Sequence, residues 1–290
     1  SQGFFGPVTV NGSVIIASGG FDSDHNGLMA THNPDSKDDR PQSSWENKGD
    51  GIKMAQAIGA DTVFKGGKVG WVGIDTSLGE AMHYYSAVIK GDGSLLDLSP
   101  PAATTGITTN KAGKQVPALT AATYAQHPDD YAVVHRRMLD ARKLNEDETF
   151  WAITNTPANE VYKSKGFAFQ ETSIAALAGK IGADATKLQT SFASGQQIGN
   201  MMGPSTNLVA TGTVFTATKA IPSSIGSMGG IKINTNAQVL KSGAPITGLY
   251  AAGECANGDM FYLEYPASGS SLSVSATFGR TAGAQAAAGL

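Results

Sequence analysis

Gly229-Gly230-Ile231-Lys232-Ile233-Asn234, Gly248-Leu249-Tyr250-Ala251-Ala252-Gly253-Glu254 and Ser268-Gly269-Ser270-Ser271-Leu272, the last leading to Phe278-Gly279-Arg280, fall in the final quarter of the chain. The pattern predicts a short strand, a polar turn holding Gly243 and Pro245, a second strand, a loop, and an alanine-rich helix from about Ser271 to Ala288. The second strand ends in small residues, so a flat or extended ligand can approach its backbone. Glu254 directly after it can accept hydrogen bonds from sugar-like hydroxyls. A helix opening at Ser270-Ser271 presents unpaired N–H groups and the positive end of its dipole, which favours an electron-rich group. The same spacing also suits an ordinary strand end and a serine-capped helix packed on a sheet.

With 290 residues, 41% of them apolar and 16% charged, and a net charge of -3, the chain is long enough for one large core or two domains. It is neither a basic nucleic-acid binder nor a disordered acidic tail. No apolar run approaches the length of a membrane span. There is no charged n-region and apolar stretch at Ser1, so no targeting segment is expected in this chain. The single cysteine, Cys255, excludes an internal disulfide framework and a cysteine-rich metal site, and no metal is expected. Cys255 reads as a small buried space-filler; its place directly after Glu254 leaves a position beside the ligand as the other reading. Asn11-Gly12-Ser13 is a formal glycosylation sequon abutting a predicted strand.

Ala252-Gly253-Glu254, a glycine-containing loop and Thr277-Phe278-Gly279-Arg280-Thr281-Ala282-Gly283 resemble the C-terminal signature of the FAD-dependent fumarate reductase and flavocytochrome superfamily. That group also holds 3-ketosteroid dehydrogenases and tricarballylate dehydrogenase-like proteins, and Phe261-Tyr262-Leu263-Glu264-Tyr265-Pro266 is most similar to the last. The resemblance implies FAD as cofactor. It places Glu254 on a ribose hydroxyl and the helix N-terminus, with Gly253, Ser270, Ser271 and Leu272, at the isoalloxazine.

Earlier in the chain, Val14 to Phe21 is a continuous apolar run closed by Gly19-Gly20, the pattern of a buried strand running into a turn. The resemblance makes it the strand where the FAD domain hands over to a capping domain, with Gly19 and Gly20 near the cofactor. Asp22 to Asn47 is polar and long enough to suggest function or disorder. Gly49 to Ala60 reads as an amphipathic helix with Ile52, Ala55 and Ile58 on one face. Short β-like runs follow at Val63-Phe64, Val69 to Ile74 and Leu95-Leu96. Asp129 to Leu144 predicts a helix whose Arg136, Arg137, Arg142 and Lys143 form a solvated charged face. Further helices are predicted near Ser173–Ile181 and Ala185–Gln197, the second capped by Asp184.

The resemblance covers nearly the whole sequence yet corresponds only to the later part of a family member. The βαβ unit with G-x-G-x-x-G that seats the FAD pyrophosphate is absent from these 290 residues. The expected fold is therefore α/β (α+β): an incomplete Rossmann-like FAD-binding domain with an inserted α+β capping domain. Its segments are 1–60 (FAD domain), 61–224 (capping, substrate domain) and 225–290 (FAD domain). The partners expected are a small-molecule substrate and a second polypeptide or precursor supplying the dinucleotide-binding half.

Family members act on a carbon–carbon bond next to a carbonyl or carboxylate, which requires an electrophile on the oxygen and an acid or base at the other carbon. The positions of the fumarate reductase dicarboxylate ligands fall on Ile225, Gly226 and Pro266. The spacing of Tyr265 and Gly269 resembles that of the ketone-polarising tyrosine hydroxyl and glycine N–H of 3-ketosteroid dehydrogenases. The resemblance thus implies Tyr265 as electrophile or acid, Gly269 as backbone donor, and Ser227 and Gly226 along the substrate. The segment expected to carry the family's proton-donating arginine reads Ala121-Ala122-Thr123-Tyr124. Tyr124 is the favoured proton-transfer partner, with His83, Tyr84, His127 and His135 as alternatives. The other functional class left open is a non-catalytic assembly subunit that keeps the fold.

Overall fold

The computed structural model describes residues 9, 11–76, 85–99, 107–109, 111–113, 115–117, 130–196, 199–200, 203–204, 207–261, 265 and 269–289. In chain order the elements are β1 (Val14–Ile16), α1 (Leu28–His32), β2 (Arg40–Pro41), α2 (Asp50–Ala57), β3 (Thr62–Ile74), β4 (Ala87–Lys90), β5 (Ile107–Thr109) and β6 (Gln115–Pro117). They continue as α3 (Asp130–Leu144), β7 (Phe150–Thr154), α4 (Glu160–Ser164), β8 (Ala168–Glu171), α5 (Ile174–Ile181), α6 (Ala185–Ala193), β9 (Gly199–Asn200) and β10 (Gly203–Pro204). The chain closes with β11 (Phe215–Ile231), β12 (Gln238–Lys241), β13 (Ala244–Ala251) and α7 (Ser270–Ala288). Two compact units result: Ser1–Asn33 with Glu46–Lys68 and Ser227–Leu290, and Pro34–Trp45 with Val69–Gly226. This mixture of helix with parallel and antiparallel strands is the α/β class read from the sequence.

The first unit is built on a three-stranded sheet ordered β1-β13-β12. β1 runs parallel to β13, with Val14 beside Leu249, Ile15 beside Tyr250 and Ile16 beside Ala251. One face packs Ile16, Val239 and Ala251 against Ile52 and Ala55 of α2. On the other, Tyr250 and Ala252 meet Ala282 and Ala286 of α7, and the Tyr250 hydroxyl donates to the Gln285 carbonyl at 3.2 Å. The apolar run at Val14 is thus a strand only as far as Ile16. Ile58 differs from its expected place as well: it lies just past α2 and is exposed.

The β12–β13 turn is Ser242-Gly243, with φ of 52° and 78°, so Pro245 belongs to β13 rather than to the turn. Two left-handed residues in succession match the twist of a tight hairpin. Asp61 closes the turn, its two carboxylate oxygens accepting from Ser242 N–H at 2.9 Å and Gly243 N–H at 2.8 Å. These bonds hold the Asp61 carboxyl below its ordinary range. An added Cβ at Gly243 would meet no atom, so the cost of Gly243→Ala is purely conformational. A loss of about 1 kcal/mol, or about 2 °C in Tm, is expected from thermal melts, whereas an unchanged Tm would contradict the turn assignment.

The second unit centres on β11. β2 runs parallel to it, β7 and β8 antiparallel, and β3 also pairs with it; β4 follows on the far side of β7. Val72, Ile89, Val134, Met138, Phe150, Ile153, Leu177 and Phe192 make its core. The runs Val63-Phe64 and Val69–Ile74 are one thirteen-residue strand, β3. The strand expected at Gly229 is the end of β11, which begins at Phe215. Asp184 caps α6 as expected, accepting from Lys187 N–H at 2.9 Å, and α6 stops at Ala193.

The charged side of α3 is not a solvated face. Arg137 is buried and pairs with Asp140 at 3.3 Å, and the Arg142 guanidinium lies over the Phe150 ring. Lys143 meets Asp35, and buried His135 meets buried Asp39, each at 2.6 Å. The polar stretch expected to be functional or disordered therefore supplies, in residues 34–45, the acids that neutralise α3. Those partners stand about a hundred positions away in sequence, beyond the reach of any helical period.

Candidate cofactor and substrate site

The first unit gathers Gly20, Ser227 and Glu254. β13 ends at Ala251, the Ala252 N–H donates to the Ile16 carbonyl at 3.0 Å, and the chain then turns so that Glu254 points inward. Glu254 Oε1 accepts from Ser227 N–H at 2.6 Å and from its hydroxyl at 3.0 Å. The same hydroxyl accepts from Phe21 N–H at 2.8 Å. The Asn47 side chain adds a hydrogen bond to Glu254 and donates to Asp22 Oδ1 at 2.5 Å. Burial, with the charge of Asp22 behind it, raises the Glu254 carboxyl to about 7, against the Ser227 and Asn47 hydrogen bonds that favour its ionised form.

Gly20 lies where a Cβ would overlap Glu254 Oε1 and Ser227 Oγ, and a Cβ on Gly19 would come 2.7 Å from Asn47 Oδ1. Both glycines therefore admit neighbouring protein side chains. Below them Asn257 is buried, accepting from Gly229 N–H at 2.8 Å and donating to the Ser227 carbonyl at 3.1 Å. Cys255 is fully buried, its thiol directed to the Ile16 and Ala252 carbonyls and pushed up to about 11 by desolvation. It is the inert space-filler expected, not a reactive thiol. Asn47, Asp22 and Asn257 escape a sequence reading because nothing in their local pattern distinguishes them from loop residues.

A second group stands at the start of α7. The helix opens at Ser270 with Gly269 at its N-cap and no side-chain cap, so the serine cap considered from the sequence is not formed. The Ser271 N–H donates instead to the Tyr265 hydroxyl at 2.7 Å. Phe261 braces the Tyr265 ring edge-on, with centroids 5.5 Å apart. Gly253 faces the next turn of α7, its nearest neighbour being Ser275 Oγ at 3.8 Å from a built Cβ, and Gly269 has open space around it. Leu272 is 77% exposed. Gly226 is buried within β11. Tyr124, with His83, Tyr84 and His127, lies outside the described residues, while His135 is committed to Asp39.

A nucleotide-sized cofactor needs a hydrogen-bonding carboxylate, a helix N-terminus and glycines that let it approach the backbone. Glu254, the first turn of α7 and the open glycines Gly253 and Gly269 meet those needs. The chain belongs to the FAD binding domain family, whose profile matches residues 7–272, and FAD is the cofactor of that family. Over 296 aligned positions the chain is 27% identical to the probable fumarate reductase Ifc3 of Shewanella frigidimarina, covering 95% of this chain and 44% of the relative. The open conformation of a flavocytochrome c3 fumarate reductase matches with a TM-score of 0.64 at 21% identity, over 96% of this chain and 46% of that one. A 3-ketosteroid delta1-dehydrogenase from Sterolibacterium denitrificans, in complex with 1,4-androstadiene-3,17-dione, gives 0.67 at 19%, over 96% and 53%. These structural likenesses establish the fold. The chain spans about half the length of the relatives it matches. Among the described residues no helix is long and apolar enough to cross a membrane, and no group of His, Cys, Asp and Glu could hold a metal.

Proposed function

We propose that the chain is the substrate-proximal part of an FAD-dependent oxidoreductase that forms or reduces a carbon–carbon double bond next to a carbonyl. Its dinucleotide-binding half is a polypeptide segment outside these residues. The observation that carries the reading is the Tyr265 hydroxyl at the first turn of α7. Its oxygen accepts from Ser271 N–H, which leaves the O–H to donate to a substrate oxygen. A donor fixed by a helix terminus and a braced ring is preorganised for charge that develops on that oxygen. Gly269 N–H is the second donor.

FAD, when bound, supplies the two-electron partner of the carbon–carbon bond. Gly19, Gly20, Gly253, Glu254 and the Ser270-Ser271-Leu272 turn would hold it, with a ribose hydroxyl competing with the Asn47 amide for Glu254. Ser227 and Gly226 border the substrate, and Tyr124, in the capping segment 61–224, exchanges the proton at the other carbon. Ile225, Gly226 and Pro266, where dicarboxylate ligands would stand, favour a ketone over fumarate, in line with the steroid ligand of the structural relative.

Reconstitution with FAD together with a dinucleotide-binding segment, followed by its absorption spectrum, tests the reading. A bound flavin band is expected, and Tyr265→Phe should lower turnover on a ketone substrate by about 100-fold while the flavin is retained. A colourless preparation that refuses FAD in the presence of that segment would leave a non-catalytic shell.

A further inference from the structure

We infer that the bare flank of the first unit, from the free edge of β1 across the outer face of α7, is the docking surface for a polypeptide segment that adds a strand parallel to β1 and lays a helix on α7. The inference rests on the reading that a dinucleotide-binding half is supplied from outside these residues, and it specifies where that half attaches.

Among the described residues β1 pairs only with β13. Val14 is 54% exposed and Ile15 40%, and neighbouring strand residues point to opposite faces. Ile15 stands beside Tyr250, on the face covered by α7; Val14 stands beside Leu249, on the face covered by α2. Both layers therefore stop short of β1. A parallel strand covered on both faces reads as an unbroken apolar run, whereas an edge strand is normally blunted by charge, proline or a bulge. Val14-Ile15-Ile16 has the composition of an interior strand and the exposure of an edge.

α7 shows the same imbalance. It has nineteen residues and one charged side chain, Arg280, yet only Ala282 and Ala286 are fully buried. A helix apolar or small around its whole circumference is one that expects cover on more than one side. On the uncovered side Arg280 lies with Ala276, Thr277, Thr281, Ala284 and Gln285 along a groove of about 510 Å³, and it has no carboxylate partner among the described residues. The segment that fits presents an apolar strand, a helix of small residues and a carboxylate for Arg280. A second copy fits less well, because α7 carries no acidic residue and offers Arg280 only another arginine. The Shewanella relative, of which this chain covers 44%, has sequence enough for such a segment.

The test combines the full chain with the purified portion of that relative lying outside the matched region, reading amide hydrogen exchange and flavin absorbance together. Val14–Ile16 amides are expected to exchange at least about tenfold more slowly in the complex. Ile15→Lys and Ala276→Lys should each weaken association by about tenfold or more, while Val161→Lys, on an exposed site of the second unit, should not. Ala276 is exposed, so its variant remains informative where Ile15→Lys misfolds. No complex, a complex without slowing at β1, or a dimer of this chain that Ala276→Lys dissolves would each overturn the docking surface, whether or not flavin is bound. Protection at β1 without flavin would uphold the surface and overturn the flavoenzyme reading instead.

Discussion

Gly230→Ala is expected to destabilise the protein by about 3–5 kcal/mol. Gly230 adopts φ +129°, a conformation that side-chain-bearing residues rarely take, and an added Cβ would overlap the Cys255 carbonyl oxygen and lie 2.8 Å from its carbon. Those atoms are backbone and have no rotamer to escape into. The Cys255 carbonyl accepts from Ile231 N–H at 2.7 Å, and Gly230 and Ala256 form a bridge, so relief would require separating β11 from the loop that carries Glu254. Ile52 Cδ1, 3.1 Å from the built Cβ, closes the other side. Against a total stability of about 5–15 kcal/mol, this loss should appear as a Tm lowered by roughly 6–15 °C. A melt within 2 °C of the parent would show that the close approach does not exist.

Glu254→Gln should change the pH dependence of stability rather than lower stability at every pH. The carboxyl is raised from its ordinary 4.5 to about 7, chiefly by desolvation. At pH below 4.5 it is protonated in both folded and unfolded chains and contributes nothing. Between 4.5 and 7 the unfolded chain ionises while the folded one holds its proton, so stability falls as pH rises; above 7 the full penalty, on the order of 3 kcal/mol, is present. Glutamine keeps an acceptor for Ser227 N–H and hydroxyl and removes the titration. Urea denaturation at pH 5 and pH 8 should therefore give a parent less stable at the higher pH by up to about 3 kcal/mol and a variant whose difference is smaller by that amount. Equal pH differences in the two proteins would show that Glu254 is solvated and ionised throughout.

The flexible reading of Asp22–Asn47 failed for the reason that the α3 reading failed. Each segment is polar when taken alone, and each is ordered by the other through Asp35–Lys143 and Asp39–His135. A period of 3.6 residues separates the faces of a helix but cannot say that a polar face is covered by a distant polar strap. The hairpin turn was displaced similarly. Pro245 suggests a turn by its type, but Asp61 sits within reach of Ser242 and Gly243 and fixes the bend one step earlier.

Local pattern determined what local physics controls. The small-residue strand end at Ala251-Ala252, the alanine-rich helix α7, the caps and glycine stops of α2, α5 and α6, and the family signature around Gly253-Glu254 and Thr277–Gly283 all depend on neighbours within a few positions. Tertiary structure alone decided the environment of the acid. That Glu254 turns inward to Ser227, with Asn47 and Asp22 beside it and Gly20 leaving room, depends on four segments brought together across more than two hundred residues. Desolvation and hydrogen bonding there set its protonation, and neither is encoded in the residues that flank it.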